Sequence, residues 1–299
     1  MNHKGKKQIK SNKEAVEWTV IESMELLSYL LLQLSNKGRN SVKAILTRGQ
    51  VVVNGQVSTK YNHVLQTGDL VSIRTESKAN SIKMIGIEII HEDDDLIVIE
   101  KEAGLLSIAS EKEQLATAYR QLTEYVRSTN PKNRIYIVHR LDRDTSGIMM
   151  FAKSKQIQQL LQNSWQESVQ ERTYIALVEG VVKQSGTVTS WLKESKTFVM
   201  YSSQRPNDGQ KAITHYKIIK SNRKLSLLQV NLETGRKNQI RVHMQDIGHP
   251  IVGDKKYGSR ENSIGRLGLH AQVLAFKHPT TGETLRFETK IPAAFLRTF

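Results

Sequence analysis

The stretch VHRLDRDTSGIMMFAK runs from Val138 to Lys153 and sets dense charge directly against an apolar run. His139, Arg140, Asp142, Arg143 and Asp144 fall together, Thr145, Ser146 and Gly147 follow, and Ile148 to Ala152 is apolar without a break. A short apolar run bounded by turn residues reads as a buried strand, so the charges sit on a turn at its mouth. A carboxylate there is held in place. On the residues alone, two readings of Asp142 are open. It is a turn aspartate that satisfies backbone amides, or it is a working carboxylate. With an ordinary pKa of about 3.9, an aspartate is anionic at neutral pH and available as nucleophile, base or metal ligand. Arg140 and Arg143 on either side would favour that ionised form.

Working outward, IGIEIIHEDDDLIVIEKEAGLLSI (85–108) has two apolar runs split by the acidic stretch Glu92 to Asp95, the pattern of a β-hairpin. Downstream, Ser154 is placed to cap a helix whose stripe is Ile157, Leu160, Leu161, Trp165 and Val169. RTYIALVEG (172–180), KLSLLQVNLE (224–233), LGLHAQVLAFKHP (267–279) and TLRFETKIP (284–292) read as strands. TGRKNQIRVHMQDIG (234–248) turns at Gly235 and reads as a helix ending at Gly248. Many strands, few helices and no regular βα alternation predict an α+β fold with a mixed or mostly antiparallel sheet.

The N-terminal part has a different character. Lys4, Lys6, Lys7, Lys10 and Lys13 occupy a stretch with no acid, a basic arm that either touches phosphate or solubilises the chain. Leu26, Leu27, Leu30, Leu31 and Leu34 recur at helical spacing, and Val42, Ile45 and Leu46 mark a second helix that ends near Gly49. VVVNGQVST is strand, an Asn54-Gly55 turn and strand, and LQTGDLVSIR adds a turn at Gly68-Asp69 and a closing strand. Lys37, Arg39, Lys43 and Arg48 cluster around one helix start, where side-chain charge and backbone donors both favour phosphate; the other reading is a solvated basic face. The polar stretch TESKANSIKM reads as a linker. The expected organisation is an arm over 1–22, a small α/β module over 23–74, a linker over 75–84 and a larger domain over 85–299.

Lys and Arg number 44 against 29 Asp and Glu in 299 residues, a formal net charge of +15. That excess is a statement about partners, with nucleic acid ahead of an acidic membrane. No cysteine is present, so disulfides and thiolate zinc sites are excluded. No apolar run approaches the roughly 20 residues that span a bilayer, and the N-terminus lacks an apolar signal core, so a cytoplasmic protein is expected. His139, His243, His249, His270 and His278 show no metal-ligand spacing and read as structural or nucleic-acid-contacting.

The order helix, basic loop, helix, hairpin and GDxV strand resembles the small alpha-L RNA-binding module, on Arg39, Val42, Lys43, Gly49, Val51, Val53, Asn54, Gly55, Gly68, Asp69 and Val71. HRLDRDTSG resembles the signature of the RluA-type pseudouridine synthases. EDDDLIVIEKEAGLLS, RTYIALVEG, LETGRKNQIRVHMQDIGHPIVGDKKYG and LGLHAQVLAFKHPTTGE match that family's other motifs in order, so the likeness covers Ile85 to Phe299.

The resemblance implies an isomerase that modifies structured RNA, rRNA foremost and tRNA as the alternative, with no metal or organic cofactor. It implies a monomer acting on RNA with no obligate protein partner. It makes Asp142 the catalytic aspartate and Tyr174 a ring that stacks on uracil or relays a proton. Arg241 becomes the partner that holds Asp142 ionised and aimed, and Arg140 the cation that fills the gap left by a flipped base. Asp144 caps the turn through Thr145 and Ser146. Lys237, Lys255, Lys256 and Arg260 line the RNA path. One departure is Glu102, where the family's turn has proline; Glu102 is expected to keep the turn but soften it. Two other classes remain in view: a non-catalytic RNA-binding or ribosome-assembly factor, and a nucleoside hydrolase.

Overall fold

The computed structural model describes residues 16–35, 37–47, 49–73, 84–109 and 117–299. The lysine-rich stretch over 1–15, Arg48 and linker residues 75–83 lie outside them. The chain divides into two compact units, Met1–Lys83 with Tyr125–Asn133, and Met84–Glu124 with Arg134–Phe299.

The first unit opens with strand β1 (Val16–Thr19), followed by β2 (Met24–Glu25), α1 (Leu26–Gln33), α2 (Arg39–Thr47), β3 (Val51–Val53), β4 (Gln56–Val57), β5 (Val64–Leu65) and β6 (Leu70–Ile73). β1 pairs antiparallel with β6, so folded structure starts inside the stretch assigned to the arm; Trp18 packs on the unit's core and explains why. That core joins Leu26, Leu27 and Leu30 of α1 to Val42 and Leu46 of α2 and to Val51, Val53 and Val71. Asn54 and Gly55 both have positive φ, 48° and 80°, the tight hairpin turn that the Asn-Gly pair predicts. Asn54 Nδ2 donates to Asp69 Oδ1 at 2.7 Å and Asn54 Oδ1 accepts the Leu70 amide at 2.9 Å, so these two turn residues staple one loop to the other.

In the second unit β7 (Ile87–Glu92) and β8 (Leu96–Lys101) form the expected hairpin. Helix α3 (Ala118–Thr129), whose residues from Tyr125 on are grouped with the first unit, and the short β9 (Tyr136–Ile137) precede β10 (Ser146–Ala152), the fully buried strand of the opening motif. Helix α4 (Lys155–Asn163) is capped by Ser154 Oγ, which accepts the Ile157 amide at 3.1 Å. The helical stripe does not run on to Val169. Ser164 ends α4, its hydroxyl donating back to Leu160 O at 2.7 Å, the separate turn α5 (Trp165–Ser168) follows, and Val169 already opens β11 (Val169–Glu179). Leu160 is exposed.

The chain continues through β12 (Gly186–Glu194), β13 (Met200–Ser203), β14 (Gln210–Ser221), β15 (Leu225–Leu232), α6 (Gln239–Asp246), a single 3-10 turn at Lys255–Tyr257, β16 (Leu269–Lys277), β17 (Thr284–Glu288) and α7 (Ala293–Leu296).

One sheet in the order β13-β12-β14-β15-β11-β16-β10-β8-β7, with β17 on β16 and β9 on β10, carries this unit. Its pairs are antiparallel except β10 with β16, which run parallel. The mixed, mostly antiparallel α+β fold matches the expectation. Gly147 sits at the parallel join with φ +113°, and a Cβ there would lie 2.1 Å from Ala271 O, so only glycine lets the strands meet. One core cluster packs Leu96, Val98, Ile148 and Met150 against Ile157 and Leu161 of α4. Another packs Ala176, Val178, Leu228 and Val230 against Ile240 and Met244 of α6. Each buried Val, Leu, Ile or Met side chain here contributes roughly 1.5–3 kcal/mol, enough to fix α6 where its polar residues are needed.

Asp93 closes the β7–β8 hairpin. Burial pushes its carboxyl up, but a 2.7 Å bond to His91 and the amides of Asp95 and Leu96 prevail and hold it at about 2. The folded value lies below the ordinary 3.8, so this stabilisation is present above pH 3.8 and is lost as pH falls through about 2. Urea unfolding should show Asp93→Asn less stable than wild type by about 1–2 kcal/mol at pH 7, with the gap closing as the pH approaches 2.

Candidate active site

The segment between β9 and β10 carries Asp142, and the stretch after β8 grips it. Ser107 Oγ donates to Leu141 O at 2.7 Å and accepts the Leu141 amide at 3.2 Å. Arg143 O accepts the Gly104 amide at 2.9 Å and Lys101 Nζ at 3.0 Å. Lys101 is fully buried, and Nζ also donates to Glu102 O and Leu105 O at 2.9 and 2.7 Å. Burial lowers its pKa to about 8. The turn itself is closed by the Thr145 amide on Asp142 O at 3.2 Å. At Glu102, where the resemblance leads one to expect proline, the amide donates to Gly86 O at 2.9 Å. Proline has no N–H to give, so Glu102 adds a bond where the sequence predicts a softer turn.

Asp142 is about a third exposed, with 31% of its side-chain surface open. Its Oδ2 accepts Asn238 Nδ2 at 2.6 Å and Arg241 Nη1 at 3.3 Å. Arg241 thus reaches Asp142, but its shorter bonds form a fork on Asp254, Nε to Oδ2 at 2.7 Å and Nη2 to Oδ1 at 2.8 Å. Asp254 is almost fully buried. Burial alone would lower the Arg241 pKa; the bonds to Asp254, and then Asp142, outweigh it and raise it above the ordinary value.

Asn238 caps α6 in the left-handed region, φ 54°. Its amide polarity is fixed from a distance: the Met200 amide donates to Tyr257 Oη at 3.2 Å, and Tyr257 Oη donates to Asn238 Oδ1 at 3.1 Å. That leaves Nδ2, the donor end, for Asp142. Among the described residues, Asp142 Oδ1 accepts no hydrogen bond.

Asp142, Tyr174, Arg241, Arg140 and Lys237 line one cavity of about 450 Å³ with Asn238. Burial raises the Tyr174 phenol pKa, with Arg172 opposing and the Asp142 charge adding to the rise. Arg140 is exposed, and among the described residues nothing bonds or pairs with its side chain. Lys237 pairs with Glu194. Lys255 lies elsewhere, with Lys256 in a cavity of about 860 Å³ that shares only Arg241 with the first. Arg260 is exposed. Lys37, Arg39 and Lys43 are exposed in the first unit, and Arg48 lies outside the described residues.

Asp144 does not cap the turn; it pairs with Arg143 through bonds of 3.0 and 3.2 Å, because the neighbouring guanidinium outcompetes neutral hydroxyls. Ser146 Oγ instead bonds His270 Nδ1 and Arg266 Nη2, each at 2.7 Å. Burial lowers His243 and His270 to about 4, leaving both neutral at pH 7. No group of residues among those described could hold a metal ion. Sequence reasoning missed Asn238, Asp254, Tyr257, Ser107 and Lys101. Asn238, Asp254 and Tyr257 stood beside Lys237, Lys255 and Lys256, but nothing local pointed to their partners; Ser107 and Lys101 act on a loop more than thirty residues away.

Comparison with known proteins gives this geometry its context. The RNA pseudouridylate synthase family matches residues 95–246, just over half of the chain. The uncharacterized RNA pseudouridine synthase YjbO of Bacillus subtilis is 34% identical over 82% of this chain and 87% of its own. The ribosomal large subunit pseudouridine synthase D of Vibrio cholerae is 32% identical over 85% of this chain and 83% of its own. The structure of human RNA Pseudouridylate Synthase Domain Containing 4 aligns with a TM-score of 0.59 at 25% identity, covering 74% of this chain and 93% of that one. The chain therefore belongs to the RluA-type RNA pseudouridine synthases, which isomerise uridine to pseudouridine within RNA.

Proposed function

We propose that Asp142 is the catalytic carboxylate and that the substrate is a uridine in structured ribosomal RNA, with tRNA as the alternative. The name of the Vibrio cholerae relative supports the rRNA reading. The observation that carries the assignment is the division of labour on one carboxylate of the cavity wall: Oδ2 is held by Asn238 and Arg241, while among the described residues Oδ1 accepts no hydrogen bond. Isomerisation breaks the bond from C1′ to N1, turns the base and forms a bond from C1′ to C5. The proton on C5 leaves and N1 gains one. Oδ1 serves either as nucleophile toward the sugar or base, or as the base that takes the 2′-carbon proton.

Tyr174 covers the base and keeps water out. Arg140, whose guanidinium has no partner among the described residues, enters the stack vacated by the flipped nucleotide and offsets part of the few kcal/mol that flipping costs. Lys37, Arg39, Lys43, Arg48, Lys237 and Lys255 contact phosphate. The first unit acts as an RNA-binding module, and the enzyme works as a monomer in the cytoplasm without a cofactor.

Purified protein incubated with transcribed large-subunit rRNA and tRNA, without additives, should produce pseudouridine detectable by nucleoside mass spectrometry. Asp142→Asn should bind the RNA and convert none; normal turnover by that variant would remove Asp142 from the mechanism. Asn238→Gly, which the left-handed backbone accepts, should keep KM and melting temperature close to wild type while kcat drops ~10- to 100-fold, the size expected for a misaimed catalytic group. Arg241→Ala should lose turnover and also destabilise the fold by about 3–5 kcal/mol, because Asp254 is left buried and unpaired; chemical denaturation measures that part.

A further inference from the structure

We infer that a second cavity beside the Asp142 cavity is a subsite for one phosphodiester of the RNA strand flanking the target uridine, anchored by Arg172. The inference rests on the reading of the neighbouring cavity as the place where uridine is isomerised. This second cavity, about 280 Å³, shares Arg140, Tyr174, Leu232, Gly235 and Arg236 with the first, so a strand whose base occupies one runs past the other. Three arginines, Arg140, Arg172 and Arg236, line it and no carboxylate does.

Arg172 is the informative one. Its guanidinium is partly buried, and among the described residues its hydrogen bonds go only to the backbone oxygens of Leu232 and Glu233, both at 3.3 Å. It lies over the Trp165 ring, 5.9 Å from the centroid. The adjacent carboxylate, Glu171, is committed to Arg286 at 3.1 Å and Thr173 at 2.8 Å. Three other arginines of the unit have carboxylates: Arg143 has Asp144, Arg241 has Asp254 and Asp142, and Arg286 has Glu171 and Glu288; Arg266, like Arg172, is held by neutral oxygens, those of Leu267, Ser146 and Leu269. Burial pulls the Arg172 pKa below its ordinary value, the mark of a charge short of compensation.

A desolvated cation without a counter-charge is costly, and a bound anion removes that cost. The position is also kept open. A Cβ on Gly235 would lie 2.6 Å from Arg172 Nη1, so glycine there leaves the guanidinium its place at the cavity wall. His139 in the same wall adds no second charge. Burial, and then Arg172, lower its pKa to about 3, and its Nε2 accepts the Met150 amide at 3.1 Å, which puts the proton on Nδ1 as a further neutral donor.

The test uses the full-length protein and a twelve-nucleotide oligouridylate, whose affinity is measured by fluorescence anisotropy across a KCl series. Each phosphate neutralised on a single strand contributes about 0.7 to the slope of log K against log salt. Arg172→Gln should reduce the slope by about that amount and weaken binding roughly tenfold, the scale of one charge-assisted contact. Arg172→Lys should keep the slope while losing part of the affinity. Arg286→Gln should change neither. An unchanged slope in Arg172→Gln overturns the subsite, since a purely structural role would alter stability or affinity without altering the count of phosphates.

Should Arg172→Gln fail to fold, Arg236→Gln, at a partly exposed residue bonded to Lys211 O, should lower the slope in the same way, and an unchanged slope there overturns the subsite equally. Inorganic phosphate at constant ionic strength should not displace the oligonucleotide; displacement from wild type but not from Arg172→Gln would make this a free-phosphate site and overturn the RNA assignment. The slope needs no turnover. A wild type with the expected slope change that converts no uridine leaves the subsite standing and removes only the catalytic reading.

Discussion

Arg241 stands between two aspartates, and the site depends on that arrangement. The fork on buried Asp254 fixes the guanidinium in both position and plane, leaving Nη1 for Asp142 at 3.3 Å. A cation held only by Asp142 would follow that side chain; held by Asp254, it becomes a fixed post against which Asp142 is set. The face of Tyr257, 4.8 Å from the guanidinium carbon, supports the post, and its hydroxyl orients Asn238. One tyrosine therefore serves both donors to Asp142 Oδ2. Positioning of this kind comes before any gain from proximity, because a reacting oxygen is useful only when its orientation is already settled.

The strands around this site were legible because they are buried on both faces. Ser146–Ala152 and Leu96–Ile99 read as apolar runs, and the Asn54-Gly55 and Gly49 signals gave the turns of the first unit. The region from 186 to 221 was silent for the opposite reason. β14 buries only Ala212 and Thr214 fully among its twelve residues, so its sequence, QKAITHYKIIKS, shows no clean period. The helix stripe across α4 failed at Ser164, where a side chain that bonds back to Leu160 O ends the helix although the apolar spacing continues. Spacing reports which residues can share a face; it does not report where the backbone stops supporting that face.

The site itself was legible in part. Asp142, Tyr174, Arg241, Arg140 and Lys237 come together on one cavity, while Lys255 opens on another. What stayed hidden is the second rank. Asp254 and Tyr257 matter through Arg241 and Asn238, and Lys101 through the carbonyl of Arg143, contacts made across 42 residues or by turns whose closure only the fold decides. Asp144 shows the same limit in reverse. Its neighbours in sequence suggested a cap, yet the charge next to it, on Arg143, decided its partner.

That pairing also explains how two arginines in one short motif come to differ. Arg143 is tied to Asp144 and its carbonyl is tied to Lys101 and Gly104, so it belongs to the frame. Arg140 has no such tie among the described residues and lines both the Asp142 cavity and the one beside it. A guanidinium already paired must break an ion pair before it meets a phosphate or a stacked base, whereas an unpaired one exchanges only water. The motif therefore separates its two cations by giving a carboxylate to one and withholding it from the other. The same separation distinguishes Arg241, paired with both Asp142 and Asp254, from Arg172, left with backbone oxygens at the wall where an RNA strand would run.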